Sequence, residues 1–113
     1  MDSSDNSRDL RDLIQTAQRI QAEVARVKDE LSAKTAEGES GGGLVRCVAS
    51  CAGELLELSI DPLLLESAEN RRMLADLITG AVNIALARAR EVAQQEMSRV
   101  TGGLPMPPGM FGA

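Results

Sequence analysis

The stretch GESGGGLV, residues 38–45, has the composition of a ligand loop. Glycine-rich loops bind phosphates by presenting backbone N–H groups to the anion. A P-loop also needs Lys and then Ser or Thr after its last glycine, and here Leu44 and Val45 follow. A dinucleotide fingerprint needs a strand before it and a helix after it, whereas this run leads into a strand-like pattern. The structural reading fits better. Gly38, Gly41, Gly42 and Gly43 are expected to give positive φ and close backbone approach at a sharp connection between strands.

Other reactive residue types lack partners. The sequence has no His, Tyr or Trp, and Cys47 and Cys51 are its only thiols. Two Cys without His cannot complete a four-ligand zinc site within one chain. Placed on one strand, four positions apart, their α-carbons would lie about 13 Å apart, too far for a disulfide. Both are read as reduced thiols, with Cys47 as small core filler. Glu37 and Glu39, two apart, read as solvated charges guarding a strand edge. The residues point to no enzyme, cofactor, metal or small-molecule substrate.

Positive charge is the remaining signal. Arg outnumbers Lys ten to two, and the planar guanidinium fork suits phosphate. Arg19 and Arg26 are seven apart and share an outer helix face, with Arg11 and Lys28 at other exposed positions. Arg88 and Arg99, eleven apart, fall almost in register, with Arg90 nearby. The net charge is −5, but it is unevenly spread: residues 35–70 carry one basic and seven acidic groups, while residues 71–113 carry five basic and three acidic. Local potentials of this kind decide partners more than the total does. The single aromatic, Phe111, disfavours single-strand recognition by base stacking.

The elements that must position these groups follow from periodicity. Leu10, Ala17, Val24 and Leu31 recur every seven residues, with Leu13, Ile20 and Val27 three after the first three. This a/d pattern predicts a helix of about 25 residues, roughly 37 Å, with Ser7 as candidate N-cap and a narrow seam that needs another helix. Alternation then predicts strands around Val45, Cys47 and Ala49 and around Leu56, Leu58 and Ile60, joined by Ser50-Cys51-Ala52-Gly53, with a weaker strand near residues 35–39. Asp61-Pro62 caps a short helical turn, Pro at its first position. Leu74, Leu77, Ile78, Ala81, Val82, Ala85, Ala89 and Val92 form the apolar face of a helix over residues 71–100, stopped by Thr101-Gly102-Gly103. The fold class is α+β: long N-terminal helix, small three-stranded antiparallel sheet, long C-terminal helix. Residues 1–8 are expected to be flexible, 9–103 to form one domain, and 104–113, rich in Pro and Gly, to be a mobile tail. The polar, acidic start does not read as a secretory signal, and no apolar run reaches membrane-spanning length, so a cytoplasmic location is expected.

GESGGGLV, the short hairpin, IDPLLLE, Met73-Leu74 with Asp76-Leu77, Ala81-Val82-Asn83 and Pro107-Pro108-Gly109 occur in an order that resembles the YbaB/EbfC family of bacterial nucleoid-associated proteins. The first helix, LIQTAQRIQAEVARVKDEL, also looks like the family's Gln-rich first helix. The likeness spans roughly residues 10–110. It implies a homodimer joined through the sheet region, with helices projecting like tweezers. It also implies duplex DNA binding by basic residues on those helices, here Arg11, Arg19, Arg26, Lys28, Arg88, Arg90 and Arg99, in the nucleoid and with consequences for gene expression. Gly38, Gly41, Gly42, Gly43, Asp61 and Pro62 would be the structural signature. The alternative is a coiled-coil-type adaptor whose helix seams recruit a protein partner, with little DNA affinity.

Overall fold

A computed structural model describes the backbone of residues 3–102 and, within it, the side chains of residues 7–100. A helix α1 (Ser3–Ala33) leads into strands β1 (Thr35–Ser40), β2 (Val45–Ser50) and β3 (Leu55–Ile60). Two short 3₁₀ turns follow, Pro62–Leu65 and Ala68–Asn70, and then helix α2 (Arg71–Thr101). The molecule is elongated, 79 × 22 × 17 Å.

The α1 pattern holds, but its start does not. Ser7 lies inside the helix, four residues past its first residue, and is not its N-cap. Nothing between Ser3 and Ser7 breaks a helix, so the helix continues through the expected boundary at residue 8. With 31 residues it is about 46 Å long.

The sheet has the order β1-β2-β3 and both pairs are antiparallel. Ser40 opposes Val45 and Thr35 opposes Ser50, while Val45 opposes Ile60 and Cys47 opposes Leu58; a bulge lies at Val48/Ala49. The register puts Ala36, Gly38 and Ser40 on one face with Val45, Cys47 and Ala49. α2 covers that face along β1 and β2, so Val45, Cys47 and Ala49 are buried with Ala81 and Ala85. Small residues on both sides allow this close approach. The hairpin turn lies one residue later than expected, at residues 51–54, with the Ser50 and Gly53 N–H groups donating to Glu54 O and Ser50 O. Cys51 is therefore off the strand. Both thiols are free and buried, and burial raises the pKa of each.

Two glycines of the signature work by different physics. Gly42 has φ +67°, and a Cβ there would meet nothing within 4 Å, so it needs glycine for its backbone angle alone. Gly38 needs glycine for space: a Cβ would fall 2.5 Å from the Ala85 backbone nitrogen and closer still to the Ala81 carbonyl oxygen. Asp61 accepts a hydrogen bond from the Leu63 N–H at 2.9 Å, with Pro62 opening the turn as expected. Gly102, at φ 64°, ends α2 with its N–H donated to Ser98 O. Gly103 and the tail 104–113, including Pro107-Pro108-Gly109, lie outside the described residues.

A second core joins the helices. Val27 and Leu31 of α1 are buried with Ala89 and Met97 of α2 and with Cys51, flanked by Val24 and Val100.

Candidate nucleic-acid interface

The helix geometry of α1 separates its functions by face. At about 100° per residue, Leu10, Leu13, Ala17, Ile20, Val24, Val27 and Leu31 form one stripe, and Arg8, Arg19 and Arg26 align on the opposite ridge, flanked by Arg11. Every residue from 7 to 22 is exposed, so for that length the ridge stands on a helix with nothing beside it among the described residues. Arg8 is the addition to the residues expected from sequence. With residues 1–8 expected to be flexible, Arg8 falls just ahead of the expected domain. The eleven-residue spacing to Arg19, about three turns, is the signal that finds it.

The expected arginines have different surroundings. Arg19, Arg11, Lys28 and Arg90 are exposed and form no ion pair among the described residues. Arg26 sits between Glu23 and Glu30, at 2.6 and 2.5 Å. The hydrogen bond to Glu23, with the charge of both carboxylates, raises the Arg26 pKa, and the same bond lowers that of Glu23. A guanidinium so neutralised has less to offer a phosphate than Arg8 or Arg19. Arg88 and Arg99 share a helical register but not a role. Arg88 donates to the Glu37 carbonyl oxygen at 2.8 Å, holding α2 to strand β1. Arg99 and Lys34 each approach Glu96 at 3.1 Å. The hydrogen bond from Lys34 holds the Glu96 carboxyl below its usual range against the opposing effect of burial, with further help from the charges of Arg99, Lys34 and Arg26. Three cations thus gather at the base of the α1 arm.

The sheet face turned away from α2 has the opposite character. Glu37, Glu39 and Glu57, with Arg46, Ser59 and Arg88, line an open depression of about 450 Å³. Arg46 lies 3.7 Å from Glu39 and is partly offset by it. Three carboxylates repel a polyanion from this face. Among the described residues no cluster of His, Cys, Asp or Glu is arranged to hold a metal ion, and no helix is long and apolar enough to cross a membrane.

A three-stranded antiparallel sheet between two long helices, with an arginine ridge on a projecting arm and three carboxylates on the open sheet face, defines a small α+β module whose arm is the surface suited to polyanions. The chain belongs to the YbaB/EbfC DNA-binding family, whose profile matches residues 6–104. It is 42% identical over 101 residues to the nucleoid-associated protein BAV0915 of Bordetella avium (strain 197N), covering 89% of this chain and 92% of that protein. Its fold is similar to the crystal structure of the uncharacterized protein HP0035 from Helicobacter pylori, with TM-score 0.72 and 22% identity over 80% of this chain and 94% of that one.

Proposed function

We propose that this is a nucleoid-associated protein that binds double-stranded DNA as a homodimer, without catalysis, and so influences nucleoid organisation and gene expression. The observation that carries the reading is the ridge of Arg8 and Arg19, flanked by Arg11, on a free-standing stretch of α1 and opposite its apolar stripe. Arg26, Lys28, Arg88, Arg90 and Arg99 add charge around the arm's base and along α2. The name of the Bordetella relative points the same way.

Support for a homodimer comes from β3. Its outer edge pairs with nothing in the chain among the described residues. Leu55, Leu56 and Leu58 are 40–53% exposed, and Leu63 and Leu65 in the following turn are 60% and 64% exposed. An open edge beside exposed leucines is an aggregation hazard unless a partner covers it. Two copies joined through this region would each project an arm, giving the tweezer form and doubling every arginine. Light scattering should report about twice the 12.0 kDa chain mass at micromolar concentration; a single-chain mass would end the homodimer reading.

The bare stripe on α1 favours a second reading, an adaptor that recruits a helix from another protein. Mobility shift of a random duplex across a salt series separates the two. Phosphate neutralisation makes log K fall linearly with log salt, by about 0.9 for each phosphate engaged. A salt-dependent shift at low micromolar protein supports DNA binding. No shift at low salt favours the adaptor.

A further inference from the structure

Gln15 sits in the middle of the arginine ridge. It comes seven residues after Arg8 and four before Arg19, which puts it within about 20° of the first and about 40° of the second around the helix. Asp12 and Gln18, three residues away in each direction, flank it at about 60° on either side. All of these residues are exposed, on the length of α1 that has nothing beside it among the described residues. On a surface that met only phosphates, Asp12 would repel and the two amides would add no charge. Facing base edges, the same groups have partners. A glutamine amide donates to adenine N7 while its oxygen accepts from the adenine N6 amino group, and a carboxylate accepts from the cytosine amino group.

We propose that the α1 arm enters the major groove of duplex DNA and that Gln15 reads adenine there, with Arg8 and Arg19 on the phosphates to either side. This deepens the DNA-binding reading above and rests on it. The dimensions select the groove. A helix with its side chains is about 10–12 Å across. The major groove, about 12 Å wide, admits it, and the minor groove, about 6 Å wide, does not. Entry also needs a helix with no neighbour to strike the groove walls. Residues 7–22 supply about 24 Å of it. Arg8 and Arg19 are about 16 Å apart along the axis, more than the groove is wide, so both guanidiniums overhang its walls while the residue between them faces the floor. The flanks are unequal. Arg11 and Gln18 lie on one side of the ridge and Asp9 and Asp12 on the other, so the helix leans toward the wall that Arg11 meets. The arginines hold the arm in register on the duplex, and the amide between them supplies the sequence preference.

The test selects bound duplexes from a pool with a randomised core, using the full chain, its Gln15→Ala variant and its Arg8→Ala/Arg19→Ala variant. The parent should enrich adenine at a fixed position about fivefold or more over the other bases. Gln15→Ala should lose that enrichment and keep the parent's salt slope, because no charge is removed. Arg8→Ala/Arg19→Ala should bind more weakly with a flatter slope and keep the adenine preference. A second measurement fixes the groove. 7-Deazaadenine at the selected position removes the N7 acceptor and leaves base pairing and the minor groove unchanged. It should weaken the parent about as much as Gln15→Ala does, and the Gln15→Ala chain should not respond to it. Salt-dependent binding by the parent with no enriched base would overturn the proposal and leave the DNA-binding reading standing. Enrichment that survives Gln15→Ala, or that ignores 7-deazaadenine, would overturn it too, by moving base reading to another residue or another groove. A parent that binds no duplex in the pool would end both readings together.

Discussion

The two ends of α1 are built from the same residue types in the same pattern, yet Leu31 is 3% exposed and Leu13 is 66% exposed. The difference lies in what stands opposite. Near Leu31 the turn of β2 brings Cys51, and α2 brings Ala89 and Met97. Near Leu13 α2 has already ended. A heptad pattern states that a helix has an apolar seam; the length of its neighbour decides how much of that seam becomes core. The packed end fixes the fold, and the bare end holds the arginine ridge away from the acidic sheet.

The strongest way to break the packed end is at its tightest contact. Gly38→Val puts a branched side chain into the backbone of α2 at Ala81 and Ala85, where no rotamer can relieve the clash. The expected loss is about 3 kcal/mol or more, read by thermal or urea denaturation. Near-parental stability would mean that α2 can slide off β1 at little cost. Next come two truncations of one chemistry at the two ends of α1. Leu31→Ala should cost about 3 kcal/mol, as buried leucines do. Leu13→Ala should cost less than about 0.5 kcal/mol if its site is as bare as the described residues make it. A Leu13→Ala loss close to that of Leu31→Ala would show that the stripe is covered in solution.

The bare end is better tested by binding. Arg8→Ala/Arg19→Ala should leave the fold and oligomeric state intact, since both residues lie opposite the stripe. It should weaken binding to all duplex sequences alike and flatten the salt slope by about 0.9 for each phosphate that is no longer neutralised. Arg26→Ala should have a smaller effect, because Glu23 and Glu30 already occupy its guanidinium. If Arg26→Ala proved the more damaging, the free ridge would not be the contact surface. Smaller still is the expected effect of Gly42→Ala on stability, about 1 kcal/mol from backbone strain alone, because the added methyl meets no atom. A loss matching Gly38→Val would mean that the turn, too, is closed over by a neighbour.

These contrasts mark where sequence reasoning reaches. Local rules dictate local structure: the α1 heptads, the alternation in β2 and β3, the Asp61-Pro62 turn and the Gly102 stop all follow from neighbours a few residues apart. Gly38 is different. Its need for space is set by Ala81 and Ala85, more than forty positions later, and the sequence shows only a glycine beside three others. Ser7 has the right chemistry for a cap but lacks the break before it that a cap needs, and expecting residues 1–8 to be flexible sets Arg8 apart from the other helix arginines. The Arg26 clamp is visible in its spacing to Glu23 and Glu30, whereas the bond from Arg88 to the Glu37 carbonyl depends on how α2 crosses the sheet edge. The seam was legible; its partial cover was not, because that rests on where two distant helix ends fall in space.

The smallest expected effect lies at the junction between the two ends, at Glu96. Its carboxyl pKa is lowered in the folded chain, chiefly by the hydrogen bond from Lys34 and then by the surrounding cations. A depressed folded pKa contributes stability above the ordinary carboxyl value of 4.5, and that contribution fades as pH falls through the folded value. Acid should therefore loosen the contact that ties the start of β1 to the last turns of α2 before it disturbs the sheet core. Glu96→Gln keeps the shape, cannot ionise and weakens the pairing to Lys34 and Arg99. The variant should be slightly less stable than the parent near neutral pH, and the gap should close as pH falls below 4.5 and through the lowered folded value. Glu23 is also lowered, but its partner Arg26 is on the same helix, so its protonation acts on α1 alone. Amide exchange at Met97 and Val100, followed against pH in both chains, separates the two carboxylates. If the two chains lose protection there in parallel, the Lys34–Glu96–Arg99 cluster is a surface ornament and the apolar contacts of Val27 and Leu31 hold the arm by themselves.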